Sequence, residues 1–283
     1  MRRMMSEDGW KELWDGVISR SPYRAFKVQR SRLVQHWDEV SRDYDTDSMS
    51  LIDERIWELL ERMSAVPPGG RALDVGCGTG ALTARLASSC SGVLGLDFSP
   101  GMLSVARERC SRLGNVELLC SGWEEYSAGR DFDLVFSSFC PAVDDLSSVL
   151  KMDSLSRERC CIVSLGGSSG DRLAFDIWDE LGHPGLTMDG FDPEFPRRLL
   201  EEMGGEPQLR SFGVREETEI AQEDMVRHLV RYFSLFHPVG GRVMEAIERK
   251  VRQRSRGGLL TLVEDRTVSV LVWKSLGARS APW

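Results

Sequence analysis

The run Ala72-Leu73-Asp74-Val75-Gly76-Cys77-Gly78-Thr79-Gly80 constrains this chain more than any other stretch of it. An apolar strand leads straight into Gly-x-Gly-x-Gly, and a helical pattern follows. Glycine is needed where the backbone turns sharply and where a ligand must approach it with no Cβ in the way. A helix opening near Thr79 aims its free N–H groups at that ligand. Strand-like runs recur at 92–97, 115–120, 132–137 and 160–165, and helical patterns fill 80–89, 99–113 and 144–157. Strand and helix alternating at this spacing imply parallel pairing through right-handed crossovers, hence an open α/β sheet.

The flanks read differently. Trp10, Leu13, Trp14, Val17 and Ile18 lie on one helical face that Ser6 can cap. Leu33, Val34, Trp37, Val40 or Ser41, and Tyr44 form a second such set. Leu51, Ile52, Ile56, Leu59, Leu60 and Met63 form a third. Pro67-Pro68-Gly69-Gly70 then ends helix formation, dividing an N-terminal helical part, 1–66, from a ligand-binding core, 67–166. In the remainder, 167–283, the pattern predicts a helix over 193–204, a strand over 206–216 and one or two helices over 221–250. Leu259–Val263 and Thr267–Trp273 flank Glu264-Asp265-Arg266, which suggests a hairpin closing the sheet.

Two carboxylates narrow the ligand. Asp74 stands at the end of the first strand, where it would repel a pyrophosphate and suit a ligand bearing an ammonium group. The spacing also departs from the Gly-x-Gly-x-x-Gly of dinucleotide sites. Asp97 ends the second strand, where it can accept both hydroxyl protons of a ribose. Phe98 beside it can lie against a purine, and Ser99-Pro100 reads as the cap and first turn of the next helix.

Over residues 70 to 165 these pieces resemble, in order, the class I S-adenosylmethionine-dependent methyltransferases, of the small-molecule, type-11-like kind. The resemblance implies a Rossmann-like, open, mostly parallel seven-stranded sheet with helices on both faces. N-terminal helices and a helical insertion near the C-terminal hairpin would be added to it. It implies a cofactor, S-adenosylmethionine, with S-adenosylhomocysteine as product, lying along the strand tips. Gly76, Gly78 and Gly80 would pass under its methionine part, with Cys77 and Thr79 of the same loop among the cofactor-binding residues, and Asp74 would face its amino group, directly or through water. Asp97 would hold the ribose, with Phe98, Ser99 and Met102 also among the cofactor-binding residues. Ser121 stands where many relatives carry Asp near the adenine, with Gly122 and Trp123 able to serve it through backbone groups. Ser137 and Ser138 end the fourth strand beside the methyl group.

The acceptor end is less determined. Ser138-Phe139-Cys140-Pro141 is not the Asn/Asp-Pro-Pro-Tyr/Phe signature of base or glutamine methylation. Phe139 and Cys140 are acceptor-pocket candidates; a small buried thiol shaping the pocket is the plainer reading of Cys140. Trp37-Asp38 with Tyr44-Asp45 resembles the lead-in of small-molecule members, in which such a tyrosine closes over the cofactor. Core packing is the competing reading of Tyr44 and Trp37, and the simple one of Trp10 and Trp14. His36 could act as a base or merely sit at the surface. His36, His183, His228 and His237 show no metal spacing, and no metal is expected. Five cations within 249–256 could grip an acidic partner; the solvated last turn of a helix ended by Gly257-Gly258 is the plainer account.

Lys and Arg number 36 against 44 Asp and Glu, so a formal charge of −8 disfavours nucleic acid as a partner. No apolar run suits a bilayer, and the N-terminal Met1-Arg2-Arg3-Met4-Met5 leads into no apolar stretch. Seven cysteines with no CxxC spacing read as reduced thiols, so a cytoplasmic protein without membrane contact is expected. The expectation is an enzyme that methylates a small molecule. The alternatives are modification of a protein or RNA, and a cofactor-binding protein without turnover. The sequence leaves the methylated atom and the oligomeric state open.

Overall fold

A computed structural model describes residues 5–45, 47–169, 172–187 and 192–277. The start of the N-terminal run, residues 1–4, lies outside the described residues. Helices α1 (Glu7–Ile18), α2 (Pro22–Ala25), α3 (Arg30–Val40) and α4 (Asp47–Arg62) precede the sheet. Then β1 (Arg71–Val75), α5 (Ala81–Ala87), β2 (Gly92–Asp97), α6 (Pro100–Cys110), β3 (Val116–Cys120), β4 (Phe132–Ser138), α7 (Leu146–Leu155) and β5 (Ser156–Ser169) alternate as the spacing predicts. After them come α8 (Leu173–Glu180), α9 (Glu194–Glu202), β6 (Gln208–Ala221), α10 (Gln222–Ser234), α11 (Arg242–Arg254) and β7 (Leu259–Lys274).

The seven strands form one open sheet in the order β3-β2-β1-β4-β5-β7-β6. The first five are parallel; β7 joins antiparallel to both β5 and β6. This is the mostly parallel, Rossmann-like sheet expected. The strand order reverses between β1 and β4, and the crevice beyond their carboxyl ends is where such sheets take ligands.

Alternation along β1 separates the two layers. Leu73 and Val75 enter a core with Trp10, Trp14 and Ile18 of α1 and Val149 and Met152 of α7. Ala72 faces the other way, into a core with Ile52, Ile56 and Leu60 of α4 and Leu82 and Leu86 of α5. The N-terminal helices therefore cover opposite faces of the sheet. Ser6 caps α1 as expected, accepting from the Gly9 amide at 3.2 Å. Trp10 and Trp14 are packing residues, 2% and 1% exposed. A third core gathers Trp178 of α8, Phe233 of α10 and Ile247 of α11 around the helical insertion, with Tyr23 and Phe26 against it.

One expectation fails. Glu264-Asp265-Arg266 is no hairpin turn: β7 runs unbroken through it, paired with β6 from Ala221↔Leu259 to Gln208↔Val272. The charged trio is tolerated because the ribbon supplies cross-strand partners. Arg266 meets Glu216 at 3.8 Å, and Arg215 meets Asp265 at 3.5 Å. The acidic run Glu216-Glu217-Thr218-Glu219 lies within strand β6. Three cations of α11 are likewise occupied: Arg249 and Lys250 pair with Glu180, and Arg254 with Asp176. All seven cysteines are free.

Candidate active site

The crevice at the strand-order reversal is a cavity walled by Asp74, Val75, Gly76, Cys77, Gly78 and Thr79 from the first strand and its loop. Leu96, Asp97, Phe98 and Met102 come from β2 and the start of α6, and Ser121 and Trp123 from the β3 exit. Ser138, Phe139, Cys140, Pro141 and Ala142 come from the β4 exit.

The loop's geometry explains its glycines. Gly76, Gly78 and Gly80 have φ of +72°, +52° and +78°, a region costly to residues with a Cβ. A Cβ on Gly76 would lie 2.4 Å from the Cys140 sulfur. One on Gly78 would meet open space, so this glycine leaves its backbone bare toward the cavity. Gly80 is outside the cavity wall; its missing Cβ would stand 3.0 Å from Ala106, so it lets α5 approach α6.

Asp97 is held from two sides. Its Oδ2 accepts from the Gly78 amide at 3.0 Å and its Oδ1 from the Ser99 amide at 2.8 Å. These bonds tie the β1 loop to the tip of β2 and fix the carboxylate with lone pairs to spare. Burial nonetheless raises its pKa. Asp74 is 2% exposed, on the α5 side of β1, and accepts from Thr83 Oγ1 at 2.6 Å. Burial pushes its carboxyl up to about 7, with Asp97 and Asp53 adding repulsion.

The N-terminal segment completes the wall with Trp37, Tyr44, Asp45, Met49 and Asp53. Trp37 and Tyr44 meet edge to face at 5.8 Å between ring centroids. Two aspartates join this segment to the core. Asp38 Oδ1 accepts from Ser99 Oγ at 2.6 Å and from the Gly101 amide at 2.7 Å, at the start of α6. Asp45 accepts from Thr79 Oγ1 at 2.8 Å and pairs with Arg109 at 2.6 Å. Asp53 has no hydrogen bond or ion pair of its own among the described residues, and burial with the nearby Asp45 lifts it to about 6. The sequence gives no sign of Asp53 in the site, because its helix face reads as ordinary amphipathic patterning.

Other candidates fall beside the cavity. Ser99 caps α6, accepting from the Met102 amide at 3.0 Å. Ser137 Oγ donates to the Val75 carbonyl at 3.2 Å. Ser137 and Gly122 face a second, adjoining cavity of about 890 Å³. His36 lies against the edge of Trp37 and lines neither cavity. Trp37, Phe98, Trp123, Phe139 and Cys140 border both, so they form the junction. Phe139 has φ +49°, strained for a bulky residue and found at the boundary itself. Burial drives the Cys140 thiol and the Tyr44 phenol each to about 12, so both keep their protons near neutrality. No group of three metal-ligating side chains occurs among the described residues, and none of their helices is long and apolar enough to cross a membrane.

Residues 72–152 match the family described as a methyltransferase domain. The demethylmenaquinone methyltransferase of Tropheryma whipplei is 33% identical over 107 residues, 37% of this chain and 45% of that protein. The ubiquinone/menaquinone biosynthesis C-methyltransferase of Stenotrophomonas maltophilia is 33% identical over 174 residues, 54% of this chain and 66% of that one. The chain thus spans less than half of the first of these relatives. Among solved structures, a candidate methyltransferase of Bacillus halodurans shares the fold, with TM-score 0.51 at 16% identity over 77% of this chain and 97% of that one.

Proposed function

We propose that the chain is a class I S-adenosylmethionine-dependent methyltransferase, a reading supported by the methyltransferase-domain match and the relatives above, and that it methylates a small molecule held in the cavity beyond Phe139. The observation that carries this reading is one crevice with Asp74 and Asp97 on adjacent strand ends, opening past Phe139 and Cys140 into a chamber of about 890 Å³. Chambers of that size suit metabolites.

The residues present fit the donor. Gly78 offers bare backbone, and Asp74 and Asp53 meet the ammonium end. Asp97 takes the ribose hydroxyls, and Phe98, Met102 and Ser121 border the adenine. The bound donor supplies a methyl carbon activated by positive sulfur. The chain's own task is then alignment and exclusion of water. Phe139, Cys140 and Ala142 shape the passage, while Trp37 and Tyr44 close it from the N-terminal side. With Cys140 and Tyr44 protonated, neither serves as base near neutral pH. An acceptor that needs no base at this junction fits best.

A macromolecular acceptor has less support, because three cations of the α11 cluster are spent on α8. Isothermal titration with S-adenosylmethionine and S-adenosylhomocysteine tests the reading. Asp97→Ala should weaken both by about 1.5 to 3 kcal/mol, the range for hydrogen bonds to a charged group. Absence of binding at millimolar ligand in the unaltered protein would overturn it.

A further inference from the structure

The large cavity is apolar over much of its wall, with Ile18, Tyr23, Val28 and Leu33 from the N-terminal helices facing Ile162 and Val163 of β5. Most of its charged groups sort into ion pairs; Lys151 and the exposed Glu124 stand outside them. Arg24 binds Asp144 through its Nε at 3.1 Å and a second guanidinium nitrogen, and Arg30 pairs with Glu125. These contacts bridge the N-terminal helices to the loops opposite, with Arg24 also 3.6 Å from Asp145.

Of the two groups outside the pairs, Lys151 of α7 is the partly buried one and Glu124 is open to solvent. Its ammonium donates to the Trp123 carbonyl and stands 4.2 Å from the centroid of the Trp123 ring. No carboxylate lies within ion-pair distance of it among the described residues. Partial burial lowers its pKa, with Glu124 working the other way, so the site loses something by holding the charge with no counterion. A neutral hydrocarbon would leave the Lys151 ammonium without a counter-charge; an oxyanion in the cavity supplies one.

We propose that the acceptor of this methyltransferase is an amphipathic small molecule, an apolar body carrying one anionic group that docks at Lys151 beside Trp123. The body fills the space between the N-terminal helices and β5, and the anion anchors it against the wall shared by the two cavities. The inference rests on the methyltransferase reading for the word acceptor, and on the cavity alone for the anion.

The probes are two dyes of similar shape: anionic 1-anilinonaphthalene-8-sulfonate and neutral N-phenyl-1-naphthylamine, each titrated by fluorescence into the full chain. Lys151→Met keeps the apolar stem and removes the charge. It should weaken the sulfonate about tenfold, as loss of a charged hydrogen-bond partner does, and leave the neutral dye within about twofold. Lys151→Arg should restore most of the sulfonate affinity. Equal loss for both dyes, or loss for neither, would overturn the proposal. S-adenosylhomocysteine titrated into the same variants separates the two readings. Its failure to bind anywhere would remove the methyltransferase assignment while leaving the anion site standing.

Discussion

Asp74 gives the sharpest quantitative handle on the site. Its carboxyl ordinarily titrates at 3.8, and burial moves it to about 7. A ligand ammonium needs it ionised, and the ammonium itself keeps its charge across this range. At pH 8 about nine-tenths of Asp74 is ionised and at pH 5.5 about 3%, so affinity for S-adenosylhomocysteine should fall about 30-fold between them. Asp53, lifted to about 6, adds about a further fourfold by the same arithmetic. The assay is calorimetric titration at half-unit pH steps. Asp74→Asn should remove the 30-fold part and keep the fourfold part. The same shift acts on the ligand-free fold with a definite sign. Because the folded-state pKa is raised, the advantage is full below 3.8 and is lost as pH climbs through 7. At about 1.4 kcal/mol per tenfold change in proton affinity the loss is about 4 kcal/mol. Thermal unfolding of the wild type should therefore decline over that window more than that of Asp74→Asn. A flat affinity profile in the wild type, or an undiminished slope in the variant, would refute the reasoning.

Two other outcomes are expected. Gly76→Ala forces a Cβ to 2.4 Å from the Cys140 sulfur at a φ of +72°. It should lower the unfolding free energy by about 2 kcal/mol or more and abolish cofactor binding, measured by denaturant titration and calorimetry. Iodoacetamide at pH 8 should alkylate Cys120, which is exposed, well before Cys140, whose thiol is held near 12. Mass mapping of the first modified peptide decides this, and early labelling of Cys140 would contradict the proton-holding role given to it.

The elements of the parallel half were legible because local and global signals coincide there: apolar runs at strand length, a glycine loop, and acids at two strand ends. What was not legible depends on partners far away in sequence. The continuity of β7 through Glu264-Asp265-Arg266 rests on β6 residues some fifty positions earlier. The short α2, whose Pro22 supplies the first turn, carries no periodicity at all. Asp53 sits on a helix whose pattern reports only its buried face, so nothing local announces a carboxylate that lines the cavity. Gly80 and Ser99, expected from the sequence among the cofactor contacts, do not line the cavity: Gly80 lets α5 approach α6, and Ser99 caps α6 as its spacing also suggested.

The bonds made by Asp38 and Asp45 have a kinetic consequence. Both aspartates grip protein groups (Ser99, Gly101, Thr79 and Arg109), and neither depends on a guest for its partner. The N-terminal flap is thus bolted to its frame from within the chain. Any route that swings it aside must undo both bolts together, so entry and exit would slow by a common factor and residence time would lengthen with no gain in equilibrium affinity.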